Sequence, residues 1–165
     1  MQRKILSIDP GLTGAICLLD YDANILVLET CPTKMVGGKR KYDEVAIKDL
    51  LKKCGLNSKK NNKPSLWVED VHAYKNSGKL QAFSFGYGKA LWIMAAVIYE
   101  APLNLVLPQT WKKEMMEGYK KKDKNASILK AKLLAGAQAD LFKDHNQAEA
   151  FLIGLYGLRK ERGTL

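Results

Sequence analysis

A short apolar run, Ile5-Leu6-Ser7-Ile8, ends on Asp9 and is followed at once by Pro10-Gly11-Leu12-Thr13-Gly14. Isoleucine and leucine bounded by Pro-Gly and Thr-Gly read as a strand that stops and reverses. Asp9 is therefore expected at a strand terminus. A carboxylate placed there beside glycines can hold a metal ion while a bulky anionic ligand approaches bare backbone. An aspartate in a turn can equally engage its own turn amides.

The chain that follows divides into strands and helices. Residues 15–21 and 25–30 read as second and third strands around a tight reversal at Asp22-Ala23-Asn24, so the first three strands form an antiparallel meander. Residues 32–41 lack periodicity, carry adjacent glycines and read as a mobile basic loop. Asp43 can cap a helix with apolar positions Val45, Ala46, Ile47, Leu50, Leu51 and Cys54, stopped by Gly55. Ser65-Leu66-Trp67-Val68-Glu69 is a fourth strand that again ends on a carboxylate.

A long helical pattern runs from Leu80 to Tyr99 through Phe83, Tyr87, Leu91, Met94, Ala95 and Ile98. Gly86 and Gly88 interrupt it at about 1 kcal/mol each relative to alanine, which hints at close backbone packing or nucleic-acid approach. Leu103–Leu107 reads as a buried fifth strand, and Pro108 starts a short helix. Residues 125–138 read as a helix with Ile128, Leu129, Ala131, Lys132 and Leu133 on one face. A last helix runs from His145 to about Lys160, with Asp144 as its candidate N-cap. This succession suits a mixed central sheet flanked by α-helices, with a strand-helix-strand crossover making the later strands parallel.

With 165 residues, 47% hydrophobic and 27% charged, the chain suits one domain over residues 1–165 that buries a core without disulfides. No apolar run approaches the ~18 residues of a membrane span, and no signal-peptide pattern opens the chain. The expected location is the cytoplasm, with no membrane partner. Cys17, Cys31 and Cys54 lack zinc-ligand spacing and are expected to be reduced and structural. Lysine and arginine number 27 against 17 acidic residues, a formal charge of +10. That is the footprint of a polyanion partner. The basic residues cluster at 34–41, 59–63 and 112–124. Such runs are often plain solvated loops, but they also suit phosphate contacts that hold a backbone without reading sequence.

Three carboxylates occupy comparable places: Asp9 and Glu69 at strand ends, and Glu149 in the last helix. If strands one and four are adjacent and parallel, a helix packed across their ends can add the third. Like charges brought together repel, and a divalent cation relieves them. Two Mg²⁺ ions about 4 Å apart can activate water and stabilise the leaving oxygen in phosphodiester hydrolysis. An acidic metal pocket within a basic surface fits a nuclease.

The segments Ser7-Ile8-Asp9-Pro10-Gly11-Leu12-Thr13-Gly14, Trp67-Val68-Glu69-Asp70-Val71-His72, Leu107-Pro108-Gln109-Thr110-Trp111-Lys112 and Asn146-Gln147-Ala148-Glu149-Ala150 resemble the RuvC Holliday-junction resolvases, the phage and viral branch most of all. The likeness runs in matching order through nearly the whole chain, although each motif is short. It implies an α/β RNase H-like fold: a mixed sheet of a three-stranded antiparallel meander plus two parallel strands, flanked by α-helices. It also implies a homodimer and Mg²⁺-dependent paired nicking of four-way DNA junctions, with Mn²⁺ able to substitute and two ions per site.

By position, the resemblance makes Asp9 and Glu69 the first two acidic ligands and Glu149 the last. The remaining acidic position falls on Asn146, which brings an oxygen but no charge. At about 100° per residue, His145 lies about 40° and Asn146 about 60° from Glu149, whereas Asp144 lies about 140° away if helical. Asp144 is a candidate metal ligand or a plain cap. His145 is a candidate to orient water or move a proton, or a surface histidine. Candidate DNA contacts are Lys39, Arg40, Lys41, His72, Tyr74, Lys75, Lys112, Lys120, Lys121 and Lys122. His72 stands where bacterial relatives carry an aromatic that wedges into the junction. Tyr74, Phe83 or Phe85 could stack on bases instead, although core packing is the expected fate of the two phenylalanines.

Two other classes compete. Turns like that after Asp9 also occur in actin-like ATP-binding folds, but those need a second lobe. A catalytically inactive binder of branched DNA is the alternative that the uncharged Asn146 supports.

Overall fold

The computed structural model describes residues 4–59, 62–72, 78–120 and 123–165. Tyr74, Lys75, Lys121 and Lys122 lie outside the described residues. Strands β1 (Ile5–Asp9), β2 (Ala15–Leu19) and β3 (Ile25–Thr30) form the antiparallel meander, and β6 (Ser65–Glu69) and β7 (Leu103–Val106) extend it in parallel with β1. The sheet order is β3-β2-β1-β6-β7. This is the mixed five-stranded sheet expected from the sequence.

Alternation along the strands divides the core. Leu6, Ile8, Leu66 and Val68 point to one face, covered by α1 (Glu44–Lys53) and α2 (Lys79–Ile98), while Ile5, Ser7 and Trp67 meet α5 (His145–Arg162) on the other. α3 (Pro108–Met115) and α4 (Lys124–Ala135) complete that second layer, with Trp111, Met115, Ala126 and Ala131 in its core.

Helix ends follow local chemistry. The Asp43 carboxylate accepts from Ala46 N–H and Asp144 from Gln147 N–H, each satisfying a first-turn donor. Gly163 ends α5 in the left-handed region at φ 68°. All three cysteines are buried and free. Among the described residues no helix is long and apolar enough to cross a membrane.

Several expectations are corrected. Residues 32–41 are not a loop: β4 (Thr33–Val36) and β5 (Lys39–Tyr42) form a hairpin turned at Gly37 and Gly38, whose φ values of 56° and 73° suit residues without a Cβ. β7 is an edge strand that buries only Val106, because the sheet ends there. The expected helix to Gln138 ends at Ala135 and continues as a 3-10 segment, Gly136–Leu141. α4 buries Ala126, Ser127 and Ala131, with Ile128 partly buried against the same core, and leaves Leu129 and Leu133 exposed. Val45 and Phe83 are also exposed rather than packed in the core.

Candidate active site

Strand parity places the first two carboxylates together. β1 and β6 pair in register from Ile5 opposite Ser65 to Ile8 opposite Val68, so the next step sets Asp9 beside Glu69 on the face toward α5. The turn after Asp9 closes through Gly14 N–H donating to the Gly11 carbonyl at 3.1 Å. A Cβ on Gly14 would overlap the Asp9 carbonyl oxygen, so this turn requires glycine.

The third carboxylate arrives on α5, which lies unusually close to the sheet. A Cβ on Gly154 would stand 2.7 Å from Ser7 Oγ, and one on Gly157 would stand 2.7 Å from the Trp67 indole. The buried Ser7 hydroxyl donates to the Ala150 carbonyl at 2.7 Å, which fixes the helix at the residue next to Glu149. Two further helices then reach in. From α3, Trp111 Nε1 donates to Glu69 Oε1 at 2.8 Å and Lys112 Nζ donates to both Glu149 oxygens at 3.1 Å. From α4, Ser127 Oγ donates to Glu149 Oε1 at 3.0 Å.

The charges are unbalanced. Burial pushes the Asp9 carboxyl well above the usual carboxylate range, Glu69 and Glu149 push it further, and Lys112 only partly opposes them. Glu69 is raised by burial as well, against the Trp111 hydrogen bond and the Lys112 charge. Carboxylate oxygens short of positive charge are the donor type that hard divalent cations take. Among the described residues, however, no three His, Cys, Asp or Glu side chains are arranged to hold a metal ion. In this arrangement Glu69 accepts from Trp111 and Glu149 from Lys112. The residues fit Mg²⁺ or Mn²⁺ in kind.

At the start of α5, Asp144 caps the helix and its charge reaches Asp9 weakly. Asn146, and not His145, lines the groove over Asp9; His145 is half-exposed at the first helical position. That groove, about 550 Å³, is formed by the β1-β2 turn, Val71 and the α2 residues Leu80, Ser84 and Phe85. A second groove of about 510 Å³ shares Leu12, Leu80 and Ser84 with it and runs to Lys39, Arg40 and Lys41 on the hairpin, past Phe83. Leu80 is 83% and Phe83 76% exposed along this path.

The hairpin is tied in place. Lys34 Nζ meets Glu44 Oε2 at 2.7 Å, and the Tyr87 hydroxyl donates to Glu44 Oε1 at 2.8 Å. Together with its own backbone N–H, these hold Glu44 down to about 2. His72 is exposed, with Nδ1 3.0 Å from the Asp70 carbonyl, and the Asp70 carboxylate pairs with Lys89 of α2. Lys120 is exposed at the end of the described stretch after α3. Lys112 instead turns inward, so a phosphate contact would require it to release Glu149.

Trp111, Ser127, Glu44 and Lys89 were not singled out from sequence. Trp111 and Met115, four apart, do mark a buried face, and a buried indole N–H needs an acceptor. Ser127 carries no comparable signal.

No family model matches the sequence, and no curated protein matches it. Among solved structures, the chain is similar to Thermus thermophilus RuvC in complex with a Holliday junction substrate, with a TM-score of 0.64 and 17% identity over 98% of this chain and 97% of that one. It is also similar to a second Thermus thermophilus RuvC structure, with a TM-score of 0.61 and 18% identity over the same shares. The likeness is one of fold: this chain has an RNase H-like architecture similar to those structures.

Proposed function

We infer that the chain, as one unit over residues 1–165, is a metal-dependent endonuclease that makes paired nicks in four-way DNA junctions. The observation that carries this reading is the convergence of Asp9, Glu69 and Glu149 at the ends of two parallel strands, below a groove that continues to a basic hairpin. The RuvC likeness, one member of which is bound to a Holliday junction, supports the choice of branched DNA. The net charge of +10 supports a polyanion.

In this reading Asp9, Glu69 and Glu149 hold divalent ions, with the Asn146 amide oxygen or Asp144 as a further ligand and His145 near the reacting water. Bound there, Mg²⁺ or Mn²⁺ supplies water activation and charge neutralisation at the leaving oxygen. The Asp9 and Glu69 carboxylates would hold the ions at the strand ends, while Lys39, Arg40 and Lys41 hold the backbone entering the groove. Leu80 and Phe83 offer apolar surface to unstacked bases. The exposed Met94, Val97 and Ile98 on the far half of α2 suit a homodimer contact. The motif likeness favours the phage and viral branch, acting in the cytoplasm of a host cell.

A mobile four-way junction with Mg²⁺ or Mn²⁺ tests the reading. Paired nicks are expected from the native protein, and Asp9→Asn and Glu69→Gln should abolish them while junction binding survives. Equal cutting of duplex, flap and junction would make it a general nuclease. Binding without cutting in either metal would establish the inactive binder, which the Lys112–Glu149 pair and the uncharged Asn146 favour as the second reading.

A further inference from the structure

Lys112 is placed unlike the other lysines of this basic chain. It lies in the last turn of α3, only 21% exposed, with Nζ 4.9 Å from the centroid of its neighbour Trp111 and 3.1 Å from each oxygen of Glu149. Equal distances to both oxygens put the ammonium across the carboxylate, where it shares the acceptors with Ser127. It is also the cation whose charge acts on both Asp9 and Glu69. One ammonium therefore faces three carboxylates drawn from β1, β6 and α5.

A long, flexible side chain normally keeps its ammonium in water, because drying it costs more than a surface ion pair returns. Lys112 forgoes that hydration at the position where a cation relieves the repulsion among the acids. Its anchor is consistent with this: the adjacent Trp111 is fully buried and bonded to Glu69, so α3 presents both residues to the acidic centre as a unit. A coordinated divalent ion needs carboxylate oxygen at about 2.0–2.1 Å for Mg²⁺. An ammonium already lying across Glu149 both occupies those acceptors and repels the incoming charge.

We propose that Lys112 is a built-in counter-ion that holds the acidic centre together without metal and must release Glu149 before a divalent cation is bound there. This rests on the metal reading above. Lys112 is thus a positioning residue: it sets how tightly the centre takes metal and guards Glu149 until metal arrives. A lysine that merely pinned α3 to α5 would leave metal affinity unchanged on removal, or weaken it by loosening the site. Competition predicts the opposite sign.

The test compares the native protein with Lys112→Met, which keeps the length of the side chain without its charge. Mn²⁺ binding is measured by titration calorimetry and by the paramagnetic signal of free Mn²⁺, with no DNA present. Lys112→Met should bind Mn²⁺ about 10-fold more tightly, while melting at a lower temperature in EDTA. Ser127→Ala, which removes the second donor to Glu149, should tighten binding by a smaller factor. In the Glu149→Gln background the effect of Lys112→Met on Mn²⁺ affinity should disappear, since the contested carboxylate is gone. Unchanged or weaker Mn²⁺ binding by Lys112→Met overturns the proposal while leaving the metal reading intact. No Mn²⁺ binding by either folded protein overturns the metal reading and this inference with it. If Lys112→Met is unfolded in EDTA, added Mn²⁺ must restore its helical circular dichroism; no recovery overturns the proposal.

Discussion

Helices α5 and α2 cover opposite faces of the same sheet, yet they are built on opposite plans. α5 buries an unbroken stretch, Ala150 to Leu158, because strands lie against one side and α3 and α4 against the other. Its glycines are spaces already filled by Ser7, Leu19 and Trp67. α2 anchors itself through Trp92, Ala95 and Ala96 and leaves Leu80, Phe83, Met94, Val97 and Ile98 in water. Burying a leucine or phenylalanine is worth about 1.5–3 kcal/mol, so α2 leaves a considerable apolar gain unrealised in the single chain. One helix is used to fix the carboxylate positions; the other presents surface.

The sharpest way to break this contrast is Gly157→Leu. The Trp67 indole stands where the new side chain must go, and a loss of about 3 kcal/mol or more is expected in urea unfolding. A loss below about 1 kcal/mol would show that α5 can slide and is not the fixed element described.

Next in size is the double change Leu80→Ala with Phe83→Ala on α2. Stability should stay within about 0.5 kcal/mol, as for other exposed positions. Junction affinity, read by fluorescence anisotropy, should fall by about 1–3 kcal/mol per stacked base lost. Loss of stability without loss of affinity would reverse the division of labour.

Smaller again is Gly86→Ala. Its Cβ would meet nothing within 4 Å, so it should stabilise α2 by about 0.5–1 kcal/mol, in contrast to Gly88, whose place is taken by the Tyr42 ring.

A shift that depends on pH is expected from Asp9→Asn in metal-free protein. Burial, with Glu69 and Glu149, raises the folded-state pKa of Asp9, so the folded protein holds the proton more tightly than the unfolded chain. Stability is then lost as pH rises through the interval between the unfolded and folded pKa values, and the asparagine escapes that loss. Asp9→Asn should melt higher than the native protein at pH 8, and the difference should vanish as the solution is acidified below both values. A lower melting temperature at pH 8 would mean that the Asp9 charge is compensated after all.

Legibility followed the range of the interactions. Short apolar runs ending on Asp9 and on Glu69 were enough to place two carboxylates at strand ends, and Asp43 and Asp144 announced their helices by local capping. The hairpin was missed because Lys39, Arg40 and Lys41 have no apolar alternation; it is held from outside, by Glu44 and Tyr87. Of the expected α4 face, Ile128 and Ala131 pack inward while Leu129 and Leu133 do not, because close helix contact admits the small Ala126 and Ser127 in their place. The partners of Glu69 and Glu149 were illegible for a related reason. Trp111 is 42 residues from Glu69, and Lys112 is 37 from Glu149, so only the folded chain states which polar atoms share a volume.

The bond from Ser7 to Ala150 joins residues 143 positions apart. A ribosome delivers Glu149 140 residues after Asp9, with the rest of the sheet made in between. Until α5 docks, the two strand-end acids have no third partner, and a nascent or truncated chain stopped before it carries an incomplete centre. A contact of such sequence separation also forms late and slowly. The order of synthesis thereby leaves the candidate site incomplete until α5 has been made and has docked.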